Sequence, residues 1–187
     1  MTTMTVEGLE VLASPTALGP IILKNRVIKS ATFEGKTPEG HPTKALIEFH
    51  AEFARGGVAM TTVGCCNVSV DARNLDNQMY LHSGLHQSLK ELSDEVHSAG
   101  AKISAQLTHC GFFKQNKPRS TRFTLAPSFH FNKLGAPNGR PFAIGMSHKQ
   151  IQGLLSDYCG AAEVAVKAGF DCVEIQMEWF NGCDQPS

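Results

Sequence analysis

Four places in the chain carry side chains with chemistry to offer: Ser30-Ala31-Thr32, Gly64, Gln106 with His109, and Gln176. Each closes a short apolar run, as a buried strand does when its last residues reach a ligand at the carboxyl end of a parallel sheet. Gln106 offers a donor and an acceptor on one amide, the complement of the N–C=O edges of a flavin pyrimidine. Gly64 and Ala31 are small enough for a flat ring to approach the backbone. From residue types alone a second reading stays open, in which these are polar strand ends satisfied by their neighbours.

Other chemistries lack their parts. No phosphate-cradling Walker loop occurs, no GxGxxG follows a strand, and no serine stands in a nucleophile-elbow context. An aldolase would need a lysine at a strand end for a Schiff base, and only Lys29 comes near one. His109 reads as a structural histidine rather than a proton donor. The adjacent Cys65 and Cys66 point to opposite faces of a strand, one into the core and one into the lumen, so a redox role is not expected.

The elements that must position these groups alternate. After a loose start over residues 1–20, Ile21-Ile22-Leu23 forms a short strand and NRVIKSAT (25–32) the first main one. Thr43 caps a helix with Leu46, Phe49 and Phe53 on one face, stopped at Arg55-Gly56-Gly57. VAMTTVGCC (58–66) is a second buried strand, rich in β-branched residues. Leu85, Leu89, Leu92 and Val96 then repeat at helical spacing up to Gly100, ahead of the third strand KISAQL. A long connection over 110–146, with four prolines, has the length of a lid or binding loop. Ser147 and Gln150 make a capping box for a helix whose buried stripe is Ile151, Leu154, Leu155, Tyr158, Ala162 and Ala165, and CVEIQ (172–176) follows as a fourth strand. Three helix-to-strand junctions read alike, RGGVAMTTV, SAGAKISAQL and KAGFDCVEI. Parallel strands with helical crossovers are the expected outcome, half of a (β/α)8 barrel that usually takes about 250 residues.

Composition bounds the partners. Lys+Arg and Asp+Glu are both 17 in 187 residues, scattered, so neither nucleic acid nor a membrane surface is expected to bind. No run approaches a membrane span and the N-terminus has no secretory signal. Six cysteines without a CxxC pair suit reduced thiols in the cytoplasm.

The pattern resembles the old yellow enzyme family of FMN-dependent NAD(P)H:flavin oxidoreductases. LKNRVIKSATFEG, HAEFARGGVAMTTVG, LKELSDEVHSAGAKISAQLTHCG, LAPS and AGFDCVEI carry the resemblance in colinear order. It implies a TIM-type (β/α)8 barrel, of which residues 18–177 form the first half, with 1–17 an N-terminal extension and 178–187 a tail outside the family pattern. It implies FMN at the strand ends, NAD(P)H as electron donor, and a small-molecule acceptor such as an electron-poor alkene. By motif position Ser30, Ala31 and Thr32 look like the flavin-lining turn after strand one, Gly64 like the small residue beside the ring, and Gln106 like the amide on the pyrimidine edge.

The chain also departs from that pattern. Where the family often reads His-x-Gly-Arg after strand three, this chain has His109-Cys110-Gly111-Phe112. Where a His-x-x-His or His-x-x-Asn pair usually grips the acceptor oxygen, it has Gln176 and Trp179. In such barrels the phosphate usually docks after strands seven and eight. The expectation is therefore a half-barrel that binds FMN weakly or not at all by itself. The alternative is a non-catalytic fragment acting through self-association or partner binding at its open sheet edges.

Overall fold

The computed structural model describes residues 6–114, 123–133 and 135–176. The start is ordered from Val6 onward rather than loose: helix α1 (Val6–Ala13) leads into the antiparallel pair β1 (Thr16–Leu18) and β2 (Ile21–Leu23). In chain order follow β3 (Ile28–Lys29), α2 (Lys44–Arg55), β4 (Met60–Asn67), α3 (His86–Ser98) and β5 (Lys102–Thr108). Then come β6 (Phe123–Ala126), β7 (His130–Phe131), β8 (Phe142–Gly145), α4 (His148–Lys167) and β9 (Cys172–Ile175). The central sheet is four-stranded, ordered β3-β4-β5-β9 and parallel throughout. Among the described residues it does not close, and no strand pairs the outer edge of β3 or of β9. No helix of the described residues is long and apolar enough to cross a membrane.

Local signals set the helix limits. The Thr43 hydroxyl accepts the Leu46 N–H at the start of α2. At α4 the Ser147 N–H donates to Gln150 Oε1 at 2.8 Å and the Gln150 N–H returns to Ser147 Oγ, the reciprocal cap read from sequence. The residues that hand each helix to its strand, Gly57, Gly100 and Gly169, all take left-handed φ, which a side chain would resist.

One face of the sheet carries the core. Val63 and Cys66 of β4 and Ile103, Ala105 and Leu107 of β5 pack under Leu46, Leu89, Leu92 and Val96 of the helices. A smaller cluster, Leu23, Ala59 and Met60, sits where β2 meets the amino-terminal end of the sheet.

Three further sequence expectations change. The strand expected over 25–32 joins the ladder only at Ile28 and Lys29, because Asn25 diverts its neighbourhood: its Oδ1 accepts the Val27 N–H and its Nδ2 donates to the Gly57 carbonyl. On α4 the expected stripe holds at Leu154, Tyr158, Ala162 and Ala165, which join Ala161 in packing on the core, whereas Ile151 and Leu155 stay exposed. The small residues let the C-terminal half of α4 approach the sheet, while Ile151 and Leu155 remain 38% and 52% exposed. The long connection is not all loop, since β6, β8 and β7 form a second small sheet. Its strands of two to four residues are too short for alternation to show.

Candidate functional site

Alternation along β5 turns Ile103, Ala105 and Leu107 into the helical core, and therefore turns Gln106 to the opposite face. There the ladder carries a bulge. Val63 pairs with Ala105 and Cys66 with Leu107, so Gly64 and Cys65 together oppose Gln106. Cys65 takes φ +52°, a conformation rare for a residue with a side chain. The bulge releases two backbone N–H groups from the ladder. That of Cys65 reaches Gln106 Oε1 at 3.5 Å, and that of Gly64 reaches Glu34 Oε1 at 3.1 Å. Gln106 Nε2 donates to Glu174 Oε1 on β9 at 2.6 Å. A carboxylate only accepts, so this bond sets which way round the amide lies.

Gly64 has a structural reason to be glycine. An added Cβ would collide with the Thr32 carbonyl oxygen and stand 2.6 Å from its carbon. The chain leaving β3 thus crosses directly against β4. Thr32, Gly64 and Gln106 form one connected run through Cys65, with Ser30 and Ala31 on the segment that leads into it; Ser30 and Thr32 are exposed.

Between β4 and α2 lies a buried polar cluster. Lys29 Nζ donates to Glu34 Oε1 and to the Thr62 carbonyl, both at 3.0 Å, and lies over the Phe49 ring. This lysine is held in an ion pair and does not reach out as a free amine. His50 Nδ1 meets Thr61 Oγ1 at 2.7 Å, while its Nε2 stands 3.4 Å from Glu34 Oε1 without the alignment of a hydrogen bond. Burial pushes the Glu34 carboxyl up, but His50, the Gly64 N–H and Lys29 outweigh it and hold it below its ordinary value. Burial lowers His50, more than the nearby carboxylate raises it.

Gln176 shares a small hollow with Cys65, Asn67, Thr108 and Cys110. Burial raises Cys65 and pushes Cys110 up to about 12, so neither thiol supplies a thiolate near neutral pH. His109 is buried, accepts the Gly111 N–H on Nδ1 at 3.0 Å, and lines a separate cavity of about 500 Å³ with Asp71 and Gln150. Phe112, at the position where an arginine was expected by resemblance, stacks edge-on against His130 and gives its carbonyl to Asn132 Nδ2. Trp179 and the rest of the 178–187 tail lie outside the described residues.

The parallel order of the central sheet is the feature that comparison with known proteins places. The model of the NADH:flavin oxidoreductase / NADH oxidase family matches residues 11–178. The chain belongs to this family. It is 38% identical over 174 residues to the 4,4'-dithiodibutanoate disulfide reductase of Rhodococcus erythropolis, covering 93% of this chain and 42% of that one. The fold is similar to that of the old yellow enzyme from a Pichia species (24% identity, TM-score 0.77, 88% of this chain and 45% of that one). It is also similar to morphinone reductase solved with tetrahydroNAD (25% identity, TM-score 0.75, 88% and 48%). The chain spans less than half the length of these family members. The old yellow enzyme resemblance and the partial TIM-type barrel expected from sequence both stand.

Sequence reasoning passed over Glu34, His50 and Glu174. Glu34 sits in a loop punctuated by Gly35, where no periodicity speaks for it. His50 was the more findable of the three, since it lies four residues after Leu46 on the apolar face of α2.

Proposed function

We propose that the chain is the amino-terminal part of an FMN-dependent NAD(P)H oxidoreductase, with the flavin edge held at the carboxyl ends of β3, β4 and β5. The observation that carries this is the Gln106 amide. With one hydrogen committed to Glu174 and one lone pair facing Cys65, it keeps one donor and one acceptor for an N–C=O edge. The residues present fit that edge: the amide orients it and Ser30, Ala31 and Thr32 line its flank, while the smallness of Gly64 serves the close crossing of the Thr32 backbone. FMN, when bound, would supply two-electron chemistry between a nicotinamide and an electron-poor acceptor. The complex of morphinone reductase with tetrahydroNAD supports a nicotinamide donor.

An activated alkene is the acceptor class we favour. A disulfide is a second reading, supported by the Rhodococcus relative. In that case the raised Cys65 and Cys110 thiols argue against a protein dithiol relay. The free thiols of the described cysteines fit a cytoplasmic setting.

By itself the 187-residue chain holds FMN weakly and turns over no acceptor, because its described sheet has four strands and stays open, whereas (β/α)8 barrels dock the phosphate after strands seven and eight. Titration of FMN against the purified chain, followed by quenching of flavin fluorescence, tests this. Weak saturable quenching that disappears in Gln106→Leu is the expected result. No quenching at any protein concentration, or quenching indifferent to Gln106→Leu, overturns the assignment.

A further inference from the structure

The Glu34 cluster meets the site just described at the Gly64 N–H, and its other arms end on β4 beside that site. A single carboxylate oxygen, Glu34 Oε1, gathers the Lys29 ammonium at 3.0 Å, the Gly64 N–H at 3.1 Å and the His50 imidazole at 3.4 Å. Lys29 spends its second donation on the Thr62 carbonyl, and His50 meets the Thr61 hydroxyl. The Glu34 side chain is 4% exposed, that of Lys29 8% and that of His50 fully buried. Burying a charge pair seldom adds net stability, because desolvation offsets the attraction. A geometric role explains the cluster better. Lys29 and Glu34 bracket residues 30–33 and pin both ends of that segment to β4, while its middle, at Thr32, presses on Gly64 where no Cβ fits.

We propose that Glu34 is a positioning residue: by taking the Gly64 N–H on the helix side of β4, it holds the 64–65 bulge open so that the Cys65 N–H faces Gln106 on the other side. The same oxygen thereby sets both the backbone of 30–32 and the amide opposite the bulge. The carboxylate can do this because it stays ionised, held there by Lys29, His50 and the N–H despite its burial. The consequence for flavin rests on the proposed function; the consequence for the bulge does not.

Glu34→Gln keeps the shape and an acceptor but loses the charge that holds Lys29. Amide hydrogen exchange, read peptide by peptide in the whole chain, and FMN affinity by fluorescence quenching test the variant together. Exchange over residues 61–66 is expected to rise about tenfold while peptides from α3 and β5 keep their protection, with FMN affinity falling about tenfold. Unchanged exchange over 61–66, or an equal rise across α3 and β5, overturns the proposal, since a merely stabilising ion pair would loosen the domain generally. If the unsubstituted chain binds no FMN, the flavin assignment fails while the exchange pattern still decides the role of Glu34. Should Glu34→Gln not fold, the double change Lys29→Met with Glu34→Met removes both charges at once. Wild-type protection over 61–66 in that variant also overturns the proposal; local loss there supports it.

Discussion

His109 shows how a single residue ties the sheet to solution conditions. Burial, helped by the neighbouring Lys114 and partly offset by Asp71, pulls its imidazole down from 6.5 to about 4. The folded chain therefore keeps His109 neutral where an unfolded histidine takes up a proton. Between pH 6.5 and 4 the unfolded state binds the extra proton, so stability falls as pH drops through that window. From pH 7 to 5 the loss is about 2 kcal/mol from this residue. Urea denaturation at the two pH values should show it, with a smaller difference in His109→Gln; an identical difference would refute the assignment. His50, also lowered, acts in the same direction, and the lowered carboxylates Glu34 and Asp171 lose their contributions further down the scale. At this scale the sequence exposed Gln106 and Gly64, because an amide at a strand end and a glycine in a β-branched run are conspicuous. It hid Glu34 and Glu174, whose bonds to the Gly64 N–H and the Gln106 amide join positions 30 and 68 apart.

Among the elements, α3 was the most legible and is the most exacting in its packing. Leu89 and Leu92 are fully buried against β4 and β5 in the one large core. Leu89→Ala should lower the unfolding free energy by about 3 kcal/mol, and Leu155→Ser on the exposed face of α4 should change it by less than about 0.5 kcal/mol. Equal effects of the two in denaturant titrations would mean that α4 buries the stripe its sequence advertises. The comparison is informative because Leu155, 52% exposed, belongs to a stripe that reads as apolar as that of α3. Periodicity reports which residues share a helix face, but what covers that face is a matter for the neighbouring elements. The same limit applies to β3, whose extended sequence finds only two ladder partners.

On the scale of the whole molecule, the described sheet has four parallel strands and two unpaired edges. Near the β9 edge Ile175 is 55% exposed, and on α4 Val166 is 67% exposed. Unpaired strand edges flanked by apolar side chains favour association. The isolated chain should therefore show a weight-average mass that rises above that of one chain with concentration in light scattering. A constant single-chain mass would show that the edges are satisfied in some other way.

The sequence by itself determined the alternation of α2, α3 and α4 with the strands of the central sheet, the caps at Thr43 and Ser147 and the glycine-ended junctions, because these follow from interactions within a few residues of one another, and its colinear motifs determined the family. The tertiary structure alone decided that Gly64 and Cys65 share one partner in Gln106, that Thr32 crosses Gly64, and that one oxygen of Glu34 joins three segments. Those features depend on which strand lies beside which and in what register. Short-range preferences cannot encode that, and only the packing of the crossover helices against the sheet supplies it.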